Sequence, residues 1–149
     1  MGNLLLSSSL VMSRNPQRAY VDVLHNLRSE GILRTEAVFN SFMRINRSNY
    51  SPTTEITATS PFPIGYGQTI SALDIQAMAG ESLYPAVSKP SSRVLDVGCG
   101  SGFMTALFAR MNPSATVVGI DCVPELVHLS ETNIRKQEFI IIIQVKIQG

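Results

Sequence analysis

Two segments carry acids at or near the ends of short apolar runs: Val94-Leu-Asp-Val-Gly-Cys-Gly-Ser-Gly102 and Val117-Val-Gly-Ile-Asp121. The first is followed by Phe103-Met-Thr-Ala-Leu-Phe-Ala-Arg110, whose apolar residues recur at helical spacing. The pattern is strand, glycine loop, helix, and then a second parallel strand from Thr116 to Ile120 that delivers Asp121 at its carboxyl end. Gly98, Gly100 and Gly102 lack a β-carbon, so the loop can turn sharply and let a ligand lie against the backbone. Asp121 is positioned to accept hydrogen bonds from both hydroxyls of a ribose, each worth roughly 1.5–3 kcal/mol to a charged acceptor. The expected ligand therefore carries an intact 2′,3′-diol.

A dinucleotide site usually shows Gly-x-Gly-x-x-Gly, which lets a helix amino terminus approach a pyrophosphate. Here the glycines run Gly98-x-Gly100-x-Gly102, and Phe103 stands where the third glycine of that fingerprint would be. A bulky ring there argues for a cofactor without a pyrophosphate. With Asp96 leading into the loop and Cys99 between the glycines, the arrangement resembles the S-adenosylmethionine site of Rossmann-like methyltransferases. In that resemblance Asp96 and the glycine loop hold the methionine half and Asp121 holds the ribose. An ordinary α/β turn with incidental glycines is the plainer reading, and the paired acids weigh against it.

The elements that must position these residues can be read on either side of them. Asn15-Pro16 has the form of an N-cap followed by proline, and Tyr20, Val23, Leu24 and Leu27 mark one helical face up to Gly31. Thr35 is expected to cap a second helix, with Val38, Phe39, Phe42 and Met43 as a core stripe. From Asn46 to Gln68 the texture turns to Ser, Thr, Pro and Gly, which predicts a long ordered loop or a linker. Ser71 is expected to cap a third helix ending near Tyr84-Pro85, and Pro124 to start a helix after Asp121. The run Phe139 to Ile147 reads either as a third parallel strand or as an unpaired hydrophobic end prone to aggregation.

At 149 residues, 44% hydrophobic and 15% charged, the chain suits one globular domain with a buried core. A net charge of +1 offers no field for nucleic acid or an anionic membrane. Met1 to Ser13 lacks the basic start and long apolar centre of a secretory signal, so residues 1–13 are expected to be a disordered extension and the protein cytoplasmic. No stretch is long enough to span a bilayer. Cys99 and Cys122 each follow a predicted strand end and read as buried thiols; no zinc site can be drawn from them. His25 and His128 fall on helices, at the surface, and no metal is expected.

His25-Asn-Leu-Arg28 with Gly31-Ile32, then Arg47-Ser-Asn-Tyr50, Ser60-Pro61, Ile64-Gly65, Gln68-Thr-Ile-Ser71 and the glycine loop closely resemble the protein-L-isoaspartate (D-aspartate) O-methyltransferase family. The match covers roughly residues 25–136, and Ile64-Gly-Tyr-Gly-Gln-Thr-Ile-Ser71 is its most specific piece. The resemblance implies an α/β, Rossmann-like methyltransferase fold with N-terminal helices and an incomplete sheet, over residues 14–149. It implies methyl transfer from S-adenosylmethionine to the free carboxyl of L-isoaspartyl and D-aspartyl residues in damaged proteins, by a protein that is monomeric if complete. Ser60 matches the family's active-site serine. Gln68, Thr69 and Ser71 match the segment that closes over cofactor and substrate, with Ile64 and Gly65 on the substrate side. Asp121 matches the ribose acid.

Such a reaction asks little acid–base chemistry of the protein. A carboxylate is already ionised at neutral pH and a sulfonium is already an activated methyl donor. Alignment remains, and it can supply roughly 7–11 kcal/mol of a barrier. Ser60 would orient the acceptor carboxylate, the plainer alternative being a turn-forming Ser-Pro. Relatives continue past the ribose strand, whereas this chain stops 28 residues after Asp121, and residues 137–149 match nothing recognisable. The expectation is a truncated member. Two other readings stay open: an inactive fragment serving at most as a binding module, and a methyltransferase for another carboxylate.

Overall fold

The structure, a computed structural model, describes residues 16–52, 57, 60–137 and 144–147. The expected N-cap at Asn15, the extension over residues 1–13 and the segment 138–143 lie outside them. Helix α1 (Pro16–Ser29) buries Tyr20, Leu24 and Leu27, the face read from the sequence, and Tyr20 donates its hydroxyl to the Phe42 carbonyl at 3.1 Å. Helix α2 (Glu36–Met43) buries Val38, Phe39 and Phe42. Thr35 precedes it but does not cap it with its side chain. The carboxylate of Glu81, buried on helix α3 (Leu73–Val87), does that work from a distance: it accepts from the Arg34 and Thr35 backbone N–H groups, both at 2.9 Å, and from the Thr35 hydroxyl at 2.8 Å. These bonds satisfy the N–H groups at and just before the start of α2 and dock α2 onto α3 in one step.

The stretch read as loop or linker holds a 3₁₀ turn, Arg47–Asn49, and a hairpin of strands β1 (Phe62–Gly65) and β2 (Gln68–Ile70). Its two-residue turn is Tyr66-Gly67, with φ of 55° and 69°. Positive φ at both positions matches the right-handed twist of flanking antiparallel strands. Helix α3 begins one residue later than expected, with Ala72 as N-cap, and it runs through Pro85 instead of stopping there. Pro85 sits in the last turn, so its missing N–H removes one bond near the end of the helix, and Ser88 N–H still reaches the Tyr84 carbonyl at 2.8 Å.

Strands β3 (Arg93–Val97), β4 (Thr116–Asp121) and β5 (Gln144–Ile147) form a parallel sheet in the order β3-β4-β5. Val97 pairs with Ile120, and Asp121 with Ile147, so the carboxyl ends of the strands line up. Of the two readings of the tail, residues 144–147 take the strand. Helices α4 (Phe103–Met111) and α5 (Pro124–Arg135) are the crossovers. Helix α4 is the centre of the molecule: Phe103, Ala106 and Leu107 are at most 1% exposed and pack in one core with Leu24, Phe42, Leu73, Val117 and Leu126.

The far edge of β3 has no strand partner among the described residues, and Leu95 and Val97 are 61% and 71% exposed. Beside it lies an apolar groove of about 420 Å³ lined by Leu83, Val94, Leu95, Met104 and Phe108, among others. Among the described residues, no helix is long and apolar enough to cross a membrane.

Candidate functional site

The carboxyl ends of β3 and β4 form one continuous structure. After Val97 the chain turns through Gly98, Cys99 and Gly100, whose backbone is sewn to the neighbouring strand: Gly98 and Cys99 N–H both donate to the Ile120 carbonyl, at 2.8 and 3.0 Å. Gly100 N–H donates to Asp121 Oδ2 at 2.9 Å, and Asp121 Oδ1 accepts from Val123 N–H at 3.0 Å. The glycine loop and the strand-end acid therefore touch, as their spacing predicts. Each Asp121 oxygen uses one lone pair on backbone and keeps another for a ligand.

Behind the loop, α5 closes the packing. Asn133 Nδ2 donates to the Ser101 carbonyl at 3.1 Å, and Gly102 has φ of 89° as N-cap of α4. Gly98, also at positive φ (77°), differs in its surroundings: a β-carbon there would meet no atom within 4 Å. It borders open space, as a cradle for a ligand would.

That space is a cavity of about 250 Å³ lined by residues from three parts of the chain. The hairpin gives Ile64, Thr69, Ile70 and Ser71, helix α3 gives Gln76, and the loop region gives Asp96 through Ser101 together with Phe103 and Met104. Of the residues singled out from sequence, Ile64, Thr69, Ser71, Asp96, Gly98, Cys99 and Gly100 come together here. Gly102 is buried behind the loop, and Asp121 lies at its rim through Gly100 rather than in the lining. Ser60, Gly65 and Gln68 are exposed and do not line the cavity. The volume falls below the roughly 300–1,000 Å³ usual for a site that encloses a drug-sized ligand, so it suits part of one, the remainder lying over the loop towards Asp121.

Asp96 faces the cavity and accepts from the Thr105 hydroxyl at 2.6 Å. Burial raises its pKa above the ordinary carboxylate value, and the nearby Asp121 adds to this against the Thr105 hydrogen bond. The folded state thus holds the proton more tightly than the unfolded chain, so the ionised acid costs stability, a cost that appears as pH rises through the folded-state pKa. Asp96→Asn is expected to raise the melting temperature of the ligand-free protein at pH 7 and leave it little changed at pH 3. A scan in which the variant melts below the parent at neutral pH would contradict this.

Sequence reasoning gave Arg47 no role beyond the family resemblance and missed Gln76 altogether. Arg47 is buried to 1% exposure, donates to Gln76 Oε1 and to the Ser71 carbonyl (2.9 Å), and stacks its guanidinium 4.7 Å over the Phe103 ring. Burial lowers its pKa to about 10, which leaves it a cation at neutral pH. The buried face of α3 carries two polar side chains, Gln76 and Glu81, among Leu73, Ala77 and Val87. The cysteine expectation needs correcting: Cys99 is buried but Cys122 is exposed. Burial pushes the Cys99 thiol up to about 11, so it is un-ionised at neutral pH. His25 and His128 are on helices and exposed, as read. Among the described residues no group of three or more His, Cys, Asp or Glu is placed to hold a metal.

A glycine turn bonded to a strand-end acid, on a parallel sheet with flanking helices, defines a Rossmann-like methyltransferase fold. A solved Plasmodium falciparum structure, described as a protein-L-isoaspartate O-methyltransferase in complex with S-adenosyl-L-homocysteine, superposes with a TM-score of 0.77 at 30% identity, covering 87% of this chain and 62% of that one. The family model for protein-L-isoaspartate (D-aspartate) O-methyltransferase matches residues 18–149, and the chain belongs to that family. That match includes the segment after residue 136. Relatives named protein-L-isoaspartate O-methyltransferase include one from Triticum aestivum, 40% identical over 74% of this chain and 48% of the relative, and one from Caenorhabditis elegans, 34% identical over 77% and 51%. The chain spans about half the length of the curated relatives it matches.

Proposed function

We propose that this chain binds S-adenosylmethionine across the glycine loop and contributes to methylation of L-isoaspartyl and D-aspartyl residues in damaged proteins, the opening step of their repair. The observation that carries the reading is the hydrogen bond from Gly100 N–H to Asp121, which sets the loop and the acid beside one cavity. The cofactor supplies the activated methyl group. Asp121 holds the ribose, Asp96 and the backbone of Gly98, Cys99 and Gly100 hold the methionine half, and Gly102 sets the loop geometry. The hairpin residues Ile64, Gly65, Gln68, Thr69 and Ser71 hold the peptide and cover the cofactor. Ser60 donates a hydrogen bond to the acceptor carboxylate and orients it. The partner is a protein or peptide bearing isoaspartate, met as a monomer in the cytoplasm.

Transfer of a labelled methyl group to an isoaspartyl peptide tests the activity. Ser60→Ala is expected to lower kcat/KM about 10- to 100-fold, the loss of one charge-assisted hydrogen bond of roughly 1.5–3 kcal/mol. Equal transfer by parent and variant would remove Ser60 from the site. A second reading is a module that binds cofactor without turnover; cofactor binding without any methyl transfer would select it.

A further inference from the structure

We propose that Thr105 is a positioning residue for the cofactor: from the first turn of α4 it fixes Asp96 in the orientation that receives the ammonium group of the methionine half. The inference rests on the cofactor reading above and gives a role in it to a side chain outside the cavity lining. Thr105 is 1% exposed, and its hydroxyl donates to Asp96 Oδ2 at 2.6 Å. A threonine inside a helix ordinarily donates to the carbonyl four residues back. For Thr105 that carbonyl is Ser101, which accepts from Asn133 Nδ2 at 3.1 Å. The hydroxyl is thus given to the end of β3, and a buried β-branched side chain, stiff at χ1, keeps it there.

The sheet makes room for that reach. Gly119 is the β4 partner of Asp96 in register, and a β-carbon there would stand 3.0 Å from Thr105 Oγ1 and 3.0 Å from Cys99 Cβ. A side chain at that position would displace the hydroxyl, which gives a glycine in a strand of Val and Ile its reason. A carboxylate has about four acceptor sites. With Oδ2 tied to α4, the Asp96 carboxylate is held against rotation, and its remaining sites serve the cavity that Asp96 lines. A short charge-assisted bond also favours the ionised carboxylate, whereas burial and the neighbouring Asp121 charge favour the protonated one. The ionised form is the one that attracts an ammonium.

Calorimetric titration with S-adenosylhomocysteine and with 5′-methylthioadenosine, which keeps the adenosine and lacks the amino acid end, tests the inference. Thr105→Val keeps the branched shape and removes the hydroxyl. It is expected to weaken S-adenosylhomocysteine about 10-fold and to leave 5′-methylthioadenosine unchanged. Thr105→Ser, which keeps the hydroxyl, is expected to bind both compounds as the unmodified chain does. A residue that only held α4 against the sheet would move both ligands together, so parallel weakening by the valine variant overturns the inference, as does no change for either. A measurement without substitution covers a variant that fails to fold. The Thr105 hydroxyl proton, protected from exchange by burial and its short bond, is expected to shift in the NMR spectrum on saturation with S-adenosylhomocysteine and to stay in place with 5′-methylthioadenosine; equal shifts with both overturn the inference. Failure of both compounds to bind the unmodified chain overturns the cofactor reading and the inference with it.

Discussion

Alanine at Gly102 is expected to cost this protein about 2–5 kcal/mol, a large fraction of the roughly 5–15 kcal/mol that holds a domain folded. Two independent terms add. Gly102 has φ of 89°, where a β-carbon costs roughly 1–2 kcal/mol. That β-carbon would also stand 2.9 Å from Ser130 Cβ, 3.0 Å from Ile134 Cδ1 and 3.3 Å from the Ser130 backbone, so α5 must move away from the loop, an overpacking cost of roughly 1–3 kcal/mol. The urea midpoint is expected to fall by on the order of 1–2 M. An unchanged midpoint would mean that the loop and α5 do not pack as described. A glycine that reads as part of a ligand motif is, on this account, first a packing requirement.

The second large effect belongs to Asp121. Asp121→Ala removes the acceptor for both Gly100 N–H and Val123 N–H, two charge-assisted bonds of roughly 1.5–3 kcal/mol each, along with the acceptor proposed for the ribose. Binding of S-adenosylhomocysteine is expected to weaken at least about 100-fold, followed by calorimetry alongside circular dichroism to show that helices persist. Asp121→Asn is expected to lose nearly as much. An amide has one oxygen, so its NH2 must face one of the two backbone N–H donors, and a donor facing a donor is left unpaired. Full retention of affinity by the asparagine variant would show that the carboxylate is not the ribose acceptor.

Period and punctuation made some elements readable in advance and hid others. The α1 face of Tyr20, Leu24 and Leu27 follows a single amphipathic stripe, and the two strands that end near Asp96 and Asp121 follow short apolar runs, the first closed by the glycine loop, so both were legible. The hairpin was obscured because Pro61, Pro63, Gly65 and Gly67 read as breakers, and its turn, Tyr66-Gly67, lacks the Asn-Gly or Asp-Gly pair that signals a two-residue hairpin. The cap on α2 was not legible for a different reason: Glu81 comes from 46 residues away from Thr35, and no local pattern reports it. The same holds for the cavity wall. The loop and its acid are adjacent in sequence units, but Arg47 reaches Gln76 across 29 residues through the core, and only the fold brings them together.

The account stands on one junction, the contact between the Gly98-to-Gly102 turn and Asp121. Two-dimensional amide NMR of the chain titrated with S-adenosylhomocysteine reads that junction residue by residue. Saturable shifts centred on Gly98, Gly100 and Asp121, with smaller ones at Thr69 and Ser71, are expected. Saturation with those amides unmoved, or no saturation at all, would contradict it.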